Sequence, residues 1–222
     1  MKINNHIQLS ALLLSLIIST NVLSSTQPTS DLLALQQQWA KVNYTMENKA
    51  QAKGFEDLVL QANNLVESNP KSADALIWLG IVKSSYAGAK GGLGALGLVK
   101  EAKNAFEQAL AIDDTALDGS AYTSLGTLYH KVPGWPIGFG DDDDAKMLLE
   151  KALMINPTGI DTNYFYGEFL FDEKDYVGAK KYLSLALAAP NRPHRSLADE
   201  SRRAEIANLM AKVDKKLTKK NS

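Results

Sequence analysis

The apolar and polar positions of this chain follow a helical period, and one stripe returns three times. Ala102, Phe106 and Ala109 share a spacing with Ala145, Leu149 and Ala152, and again with Ala179, Leu183 and Ala186. Residues four and seven apart fall on one face of a helix, so each triplet is a small–large–small stripe. Its alanines admit a neighbouring helix closely, and its large residue fills the gap between them. The second and third stripes lie 34 residues apart, a period that predicts stacked helix hairpins rather than a single-core fold. No stretch alternates for long enough to predict a strand, so the expected class is all-α.

A second pattern precedes each stripe. It reads Leu76-x2-Leu79-Gly80, then Tyr122-x2-Leu125-Gly126-x2-Tyr129, then Asn163-x2-Tyr166-Gly167-x2-Leu170. A glycine inside a helix costs about 1 kcal/mol against alanine, so its place there predicts close approach of the paired helix. With the stripes, this resembles the tetratricopeptide repeat (TPR) family: an aromatic, Leu-Gly, Tyr, then Ala, a large apolar residue, Ala and Pro. Pro157 closes the second repeat as that pattern asks. Asp114 stands at the matching place in the first, and Pro190 comes one residue early in the third. The resemblance spans residues 73–190. It implies an α-α superhelix of three hairpins whose concave groove, lined by the first helix of each pair, holds a protein or peptide.

The flanks extend the same logic. Residues 31–70 read as a degenerate N-terminal hairpin, with the apolar face Phe55, Leu58, Ala62 and Leu65 ahead of Asn69-Pro70. Residues 194–217 predict a capping helix whose face Leu197, Ala204, Leu209 and Val213 covers the last repeat, since an end repeat lacks a neighbour on one side.

Two hairpins are longer than the family pattern. Twelve residues separate Gly167 from Ala179, but nineteen separate Gly126 from Ala145 and twenty-two separate Gly80 from Ala102. The surplus is assigned to insertions at the hairpin turns, residues 87–98 and 132–140, emerging on one edge of the stack. Leu93, Leu96, Trp135, Ile137 and Phe139 would sit badly in water there. They either fold back on the helices or line a ligand cleft.

Carried over position by position, the resemblance places Ile77, Ile81 and Ser84, then Thr123, Thr127 and His130, then Tyr164, Glu168 and Phe171 along the groove. The last six form the candidate partner-binding set. The Lys/Asn clamp that some family members use for terminal carboxylates is missing, because Ile77 and Ile81 take its first places. Tyr164 and Phe171, seven apart, have the alternative of packing on the terminal helix.

The first 24 residues follow another rule. Lys2, the apolar run Leu9–Ile18 and Val22-Leu23-Ser24 form the three-part layout of a secretory signal peptide. The run is short of the roughly 20 residues a membrane span needs. Cleavage near Ser24 or Ser25 is expected, with retention as an anchor the alternative, and residues 25–30 read as a linker. There is no cysteine, which removes disulfides, Cys zinc sites, thiol nucleophiles and a lipid-modified cysteine. This is compatible with a bacterial periplasm.

Charge and chemistry narrow the field further. With 24 Lys and Arg against 25 Asp and Glu, the chain lacks the basic excess of a nucleic-acid binder. Lys212–Lys220 reads as a solvated helix end. Gly92-x-Gly94-x2-Gly97 matches a dinucleotide fingerprint only literally, because it follows a predicted helix and not a strand. Asp141–Asp144 reads as a helix N-terminus, since no calcium-loop ligands stand in register. His130 and His194 alone survive leader removal, without a defensible triad. No enzyme activity, cofactor or metal is expected, and the oligomeric state is left open. The expected function is a secreted, periplasmic scaffold for a protein or peptide. The alternative is a small-molecule-binding accessory of an envelope transport system. That alternative rests on Gly138-x-Gly140-Asp141…Ala145, which is similar to the T component of tripartite ATP-independent periplasmic transporters.

Overall fold

Several helices begin where the sequence supplies a side-chain acceptor for free backbone amides. In a computed structural model, which describes residues 29–220, Thr29 Oγ1 accepts from Leu32 N–H and opens α1 (Ser30–Thr45). α2 (Asn48–Ser68) returns beside it. Ser72 caps α3 (Ala73–Lys90), which pairs with α4 (Leu93–Ile112). α5 (Ala116–Lys131) pairs with α6 (Asp142–Ile155), and α7 (Ile160–Asp172) with α8 (Tyr176–Ala188). α9 (Ser196–Lys220) ends the described chain. The expected leader, residues 1–24, and the expected linker up to residue 28 lie outside the described residues. No described helix is long and apolar enough to cross a membrane.

The acidic run is accounted for by capping. Asp141 Oδ1 accepts from the amides of Asp143 and Asp144, both at 3.0 Å, and the other three carboxylates sit in the first turn of α6. Negative charge there offsets the positive end of the helix dipole.

The three stripes build the seams between paired helices. The six alanines of the stripes are fully buried, and Phe106, Leu149 and Leu183 are at most 1% exposed. Each large residue sits over the glycine of the preceding helix. A Cβ on Gly80 would lie 2.5 Å from Phe106 Cε1, one on Gly126 2.8 Å from Leu149 Cγ, and one on Gly167 3.0 Å from Leu183 Cγ. The missing side chains are therefore filled by the partner helix, which offsets the propensity cost of glycine.

The first insertion is not a loop. α3 continues to Lys90 and α4 begins at Leu93, leaving only Gly91 and Gly92 in the turn, at φ +61° and +62°. Two adjacent left-handed residues suit glycine alone, and the surrounding Ala, Leu and Lys residues are good helix formers. The surplus thus lengthens both helices, with Leu93 opening α4 and Leu96 half-buried within it. Residues 132–140 do form an irregular connection. Phe139 folds back edge-on to Tyr129 at 5.4 Å, whereas Trp135 is 89% and Ile137 62% exposed.

The terminal helix buries Leu209 and Val213 of its expected face but not the other two residues. Leu197 and Ala204 are exposed, and the buried side is Ala198, Arg202, Ile206, Leu209 and Val213. The rotation has a cause: α9 touches three elements, not one. Ile206, Leu209 and Val213 join the C-terminal core with Leu183 and Ala186, while Ala198 joins the N-terminal core with Leu32, Leu35 and Trp39. α9 lies along α7 and α8 and also reaches α1. Because α1, α3, α5 and α7 are successive neighbours, this contact closes the concave side of the stack into a ring.

Candidate functional site

The ring lines a half-open chamber of about 360 Å³ with every odd-numbered helix on its wall and Phe106 of α4 at its edge. α1 contributes Gln36 and Trp39, and α3 contributes Trp78, Ile81, Ser84 and Ser85. α5 brings a ladder of hydroxyls: Ser120, Thr123, Ser124 and Thr127. α7 adds Asp161, Thr162 and Phe165, and the segment around the start of α9 adds Arg192, Arg195 and Arg202. The result is an aromatic end, a hydroxyl wall and an arginine-rich end.

The aromatic end is held firmly. Trp39 and Trp78 meet edge to face at 5.7 Å, and Trp39 Nε1 donates to Ser85 Oγ at 2.8 Å. Ser85 in turn donates to the carbonyl of Ile81 at 2.9 Å. The Trp39 indole is therefore held in orientation by its hydrogen bond, and both nearly buried indoles border the chamber.

The arginine end is a charge network. Arg192 meets Asp161 and Asp199, each at 2.6 Å. Arg202 meets Asp161 at 2.8 Å and Glu205 at 2.6 Å, and lies over the rings of Tyr164 and Phe165 at 4.4 and 4.6 Å. Burial alone would raise the pKa of Asp161, yet the Arg202 and Arg192 charges win and hold its carboxyl well below the ordinary range. Arg195 lies over the Trp78 ring at 5.0 Å but has no ion pair or side-chain hydrogen bond among the described residues. Burial, then the neighbouring Arg192 charge, pushes it down to about 10.

Three buried side-chain atoms among the described residues lack a hydrogen-bond partner: Thr123 Oγ1, Asn163 Oδ1 and Arg195 Nε. Two of these three residues, Thr123 and Arg195, line the chamber. Its wall also holds strained backbone. Leu117, Asp118 and Gly119 form a left-handed turn at φ 47°, 56° and 73° inside the first turn of α5, and Leu117 and Asp118 line the chamber. Left-handed backbone costs a non-glycine residue roughly 1–2 kcal/mol, and such strain concentrates at ligand-holding sites.

The expected groove residues divide into two groups. Thr123 and Thr127 face the chamber. His130 and Glu168 stand away from it, in a polar knot at the far ends of α5 and α7. His130 Nδ1 is 2.8 Å from Asp142 Oδ1 and its Nε2 is 2.9 Å from Asp172 Oδ2, while Lys131 meets Asp172 and Glu168 at 2.9 and 3.4 Å. This knot ties α5 to α6 and α7. Burial would raise the pKa of Asp172, but His130 and Lys131 bring it below its ordinary value. Tyr164 is buried beneath Arg202, and Phe171 packs on Tyr176 at 5.6 Å. The α7 face that meets the chamber is the one bearing Asp161 and Phe165, since α9 covers the side bearing Tyr164. Leu96, Trp135 and Phe139 lie outside the chamber lining.

Sequence reading missed the two tryptophans and the arginine end. Arg192-x2-Arg195 followed by Asp199 and Arg202 is a cluster visible in the sequence, but it lies beyond the last repeat, where the TPR pattern assigns no positions. Among the described residues, no group of three or more His, Asp or Glu is arranged to hold a metal.

Known structures place this architecture. The crystal structure of TTC0263, a thermophilic TPR protein of Thermus thermophilus, matches with a TM-score of 0.53 at 20% identity, covering 82% of this chain and 87% of that one. The fold is TPR-like. MamA matches with a TM-score of 0.44 at 18% identity over 76% of this chain and 92% of its own, and PilF of Pseudomonas aeruginosa with 0.34 at 18% over 82% and 93%. The first of the three carries the assignment of the fold. The transporter-component likeness gains no support from these neighbours. No protein-family model and no curated protein matches the chain.

Proposed function

We propose that this chain is a secreted, periplasmic binding module that takes a short segment of a protein partner into the concave chamber. One observation carries the reading: the helices that line the groove in a TPR-like stack converge here on a bounded space. That space has oriented aromatics, free hydroxyl capacity and an arginine without a protein ligand. Concave, mostly apolar sites with a few placed polar groups are the usual form of a binding site. Closure by α9 limits what enters to a short piece. The signal-peptide layout of residues 1–24 supports export, and N-terminal sequencing of the periplasmic form should begin at or beside Ser25.

Site-specific photocrosslinking tests the chamber directly. A photoreactive residue at Ser124, on the hydroxyl wall, should trap a defined partner, and the same group at Trp135, on the exposed outer connection, should not. Crosslinks from position 135 alone would move the interface to the outer edge and end the chamber assignment.

A further inference from the structure

We propose that the chamber recognises a carboxylate carried on a compact apolar or aromatic body, with Arg195 pairing the anion and Trp39, Trp78 and Phe165 receiving the body. This rests on the reading that the chamber is the binding site, and adds the chemistry of what fills it.

Charge in the chamber is unevenly matched. Its wall bears three arginines and two carboxylates, Asp118 and Asp161. Asp161 is engaged by Arg192 and Arg202, which also hold Asp199 and Glu205 from behind. Arg195 is left as a guanidinium with a buried Nε that no protein acceptor satisfies. A desolvated cation without an acceptor is costly, and a ligand anion removes that cost. Arg195 is therefore the chamber guanidinium without an anionic partner, and burial followed by the Arg192 charge lowers its pKa.

The fork of a guanidinium matches the two oxygens of a carboxylate. A phosphate dianion fits less well, because the other two arginines already have partners. Thr123 supplies the second polar contact. It is only 5% exposed, its Oγ1 has no partner, and it faces the same space. The remainder of the ligand must be apolar and small. Phe165, only partly buried, offers aromatic surface beside the edges of Trp39 and Trp78, which are 8% and 2% exposed, and about 360 Å³ stands near the lower end of small-ligand sites. Two sources share this chemistry: a free small organic acid, or the terminal carboxylate of a chain ending in an apolar residue.

The protein provides its own reporter. It has three tryptophans, two of which line the chamber while Trp135 is exposed. In a Trp135→Phe background, indole fluorescence therefore reads chamber occupancy. The purified protein is titrated with 3-phenylpropionate and hexanoate, with their amides, and with short peptides ending in phenylalanine as free acid or amide. The acids should give saturable changes, and the amides should bind at least roughly tenfold more weakly. Arg195→Gln should lose about the same factor, Arg195→Lys should retain part of it, and Thr123→Val should lose a few-fold.

Equal binding of acids and amides on the unmutated arginine overturns the proposal, whatever Arg195→Gln does to folding. So does the absence of saturable binding by every carboxylate. If the free acids bind and the peptides do not, the proposal stands and the partner-segment reading falls. If peptide acids alone bind, both stand and the source is a chain end. If Ser124 crosslinks a partner while acids and amides bind alike, the partner reading stands and this one falls.

Discussion

The first helix of each hairpin has two faces that obey opposite rules. On one, Gly80 and Gly126 receive Phe106 and Leu149 in contacts too close for a Cβ, and Gly167 receives Leu183 in a tight one. These contacts are apolar and leave no space. On the other, α5 presents Ser120, Thr123, Ser124 and Thr127 to a cavity, one of them a buried hydroxyl without a partner. The seam face is optimised for stability. The chamber face gives up packing, hydrogen bonds and easy backbone geometry at once, which a stable structural element has no reason to do.

The contrast can be broken most severely at the seam. Leu149→Ala should lower the unfolding free energy by about 2–5 kcal/mol, measured by urea denaturation. Phe165→Ala, on the chamber wall and only partly buried, should cost less than half as much. Equal losses would mean that the two faces are packed alike. Gly126→Val should cost about 1–3 kcal/mol by overpacking, because the new carbon meets Leu149 and the backbone oxygen of Ala145. Ser124→Ala, on the opposite side of the same helix, should stay within about 0.5 kcal/mol of wild type.

Charge offers a finer test. Asp161 has a lower pKa folded than unfolded, so the folded state binds its proton less readily and stability must fall with acid. Its contribution is full above about 4, near the ordinary value, and fades as pH drops through that value toward the folded one. Asp161→Asn should therefore cost about 1–3 kcal/mol at pH 7, and its deficit against wild type should shrink steadily below pH 4. A deficit independent of pH would mean that the arginines do not act on it through charge. The smallest effect concerns backbone strain. Asp118→Gly should stabilise by up to about 1 kcal/mol, read as a rise of roughly 2–4 °C in Tm. No gain would mean that the left-handed turn is held without cost.

These two faces are also unequally legible. The seam depends on spacing within one helix, and Ala-x3-Phe/Leu-x2-Ala reports that face wherever it occurs. Glycine over the large residue follows from helix propensity. The chamber depends on which distant helix covers which side, and local periodicity holds no record of that. Tyr164 has the position of a groove residue but lies under Arg202, because α9 arrives from the end of the chain. Arg195 lies outside the repeats altogether. The longer first hairpin misleads for a simpler reason: Gly91-Gly92 needs only two residues to reverse the chain, so extra length becomes extra helix.

The contact of α9 with α1 has a consequence for how the molecule comes into being. An open solenoid can lay down its units one after another, each useful once its neighbour is present. Here Ala198 completes a core begun at Leu32, so the N-terminal pair waits for nearly the whole polypeptide to emerge before its last partner arrives. Only the finished fold, with tail seated on head, presents the complete chamber wall.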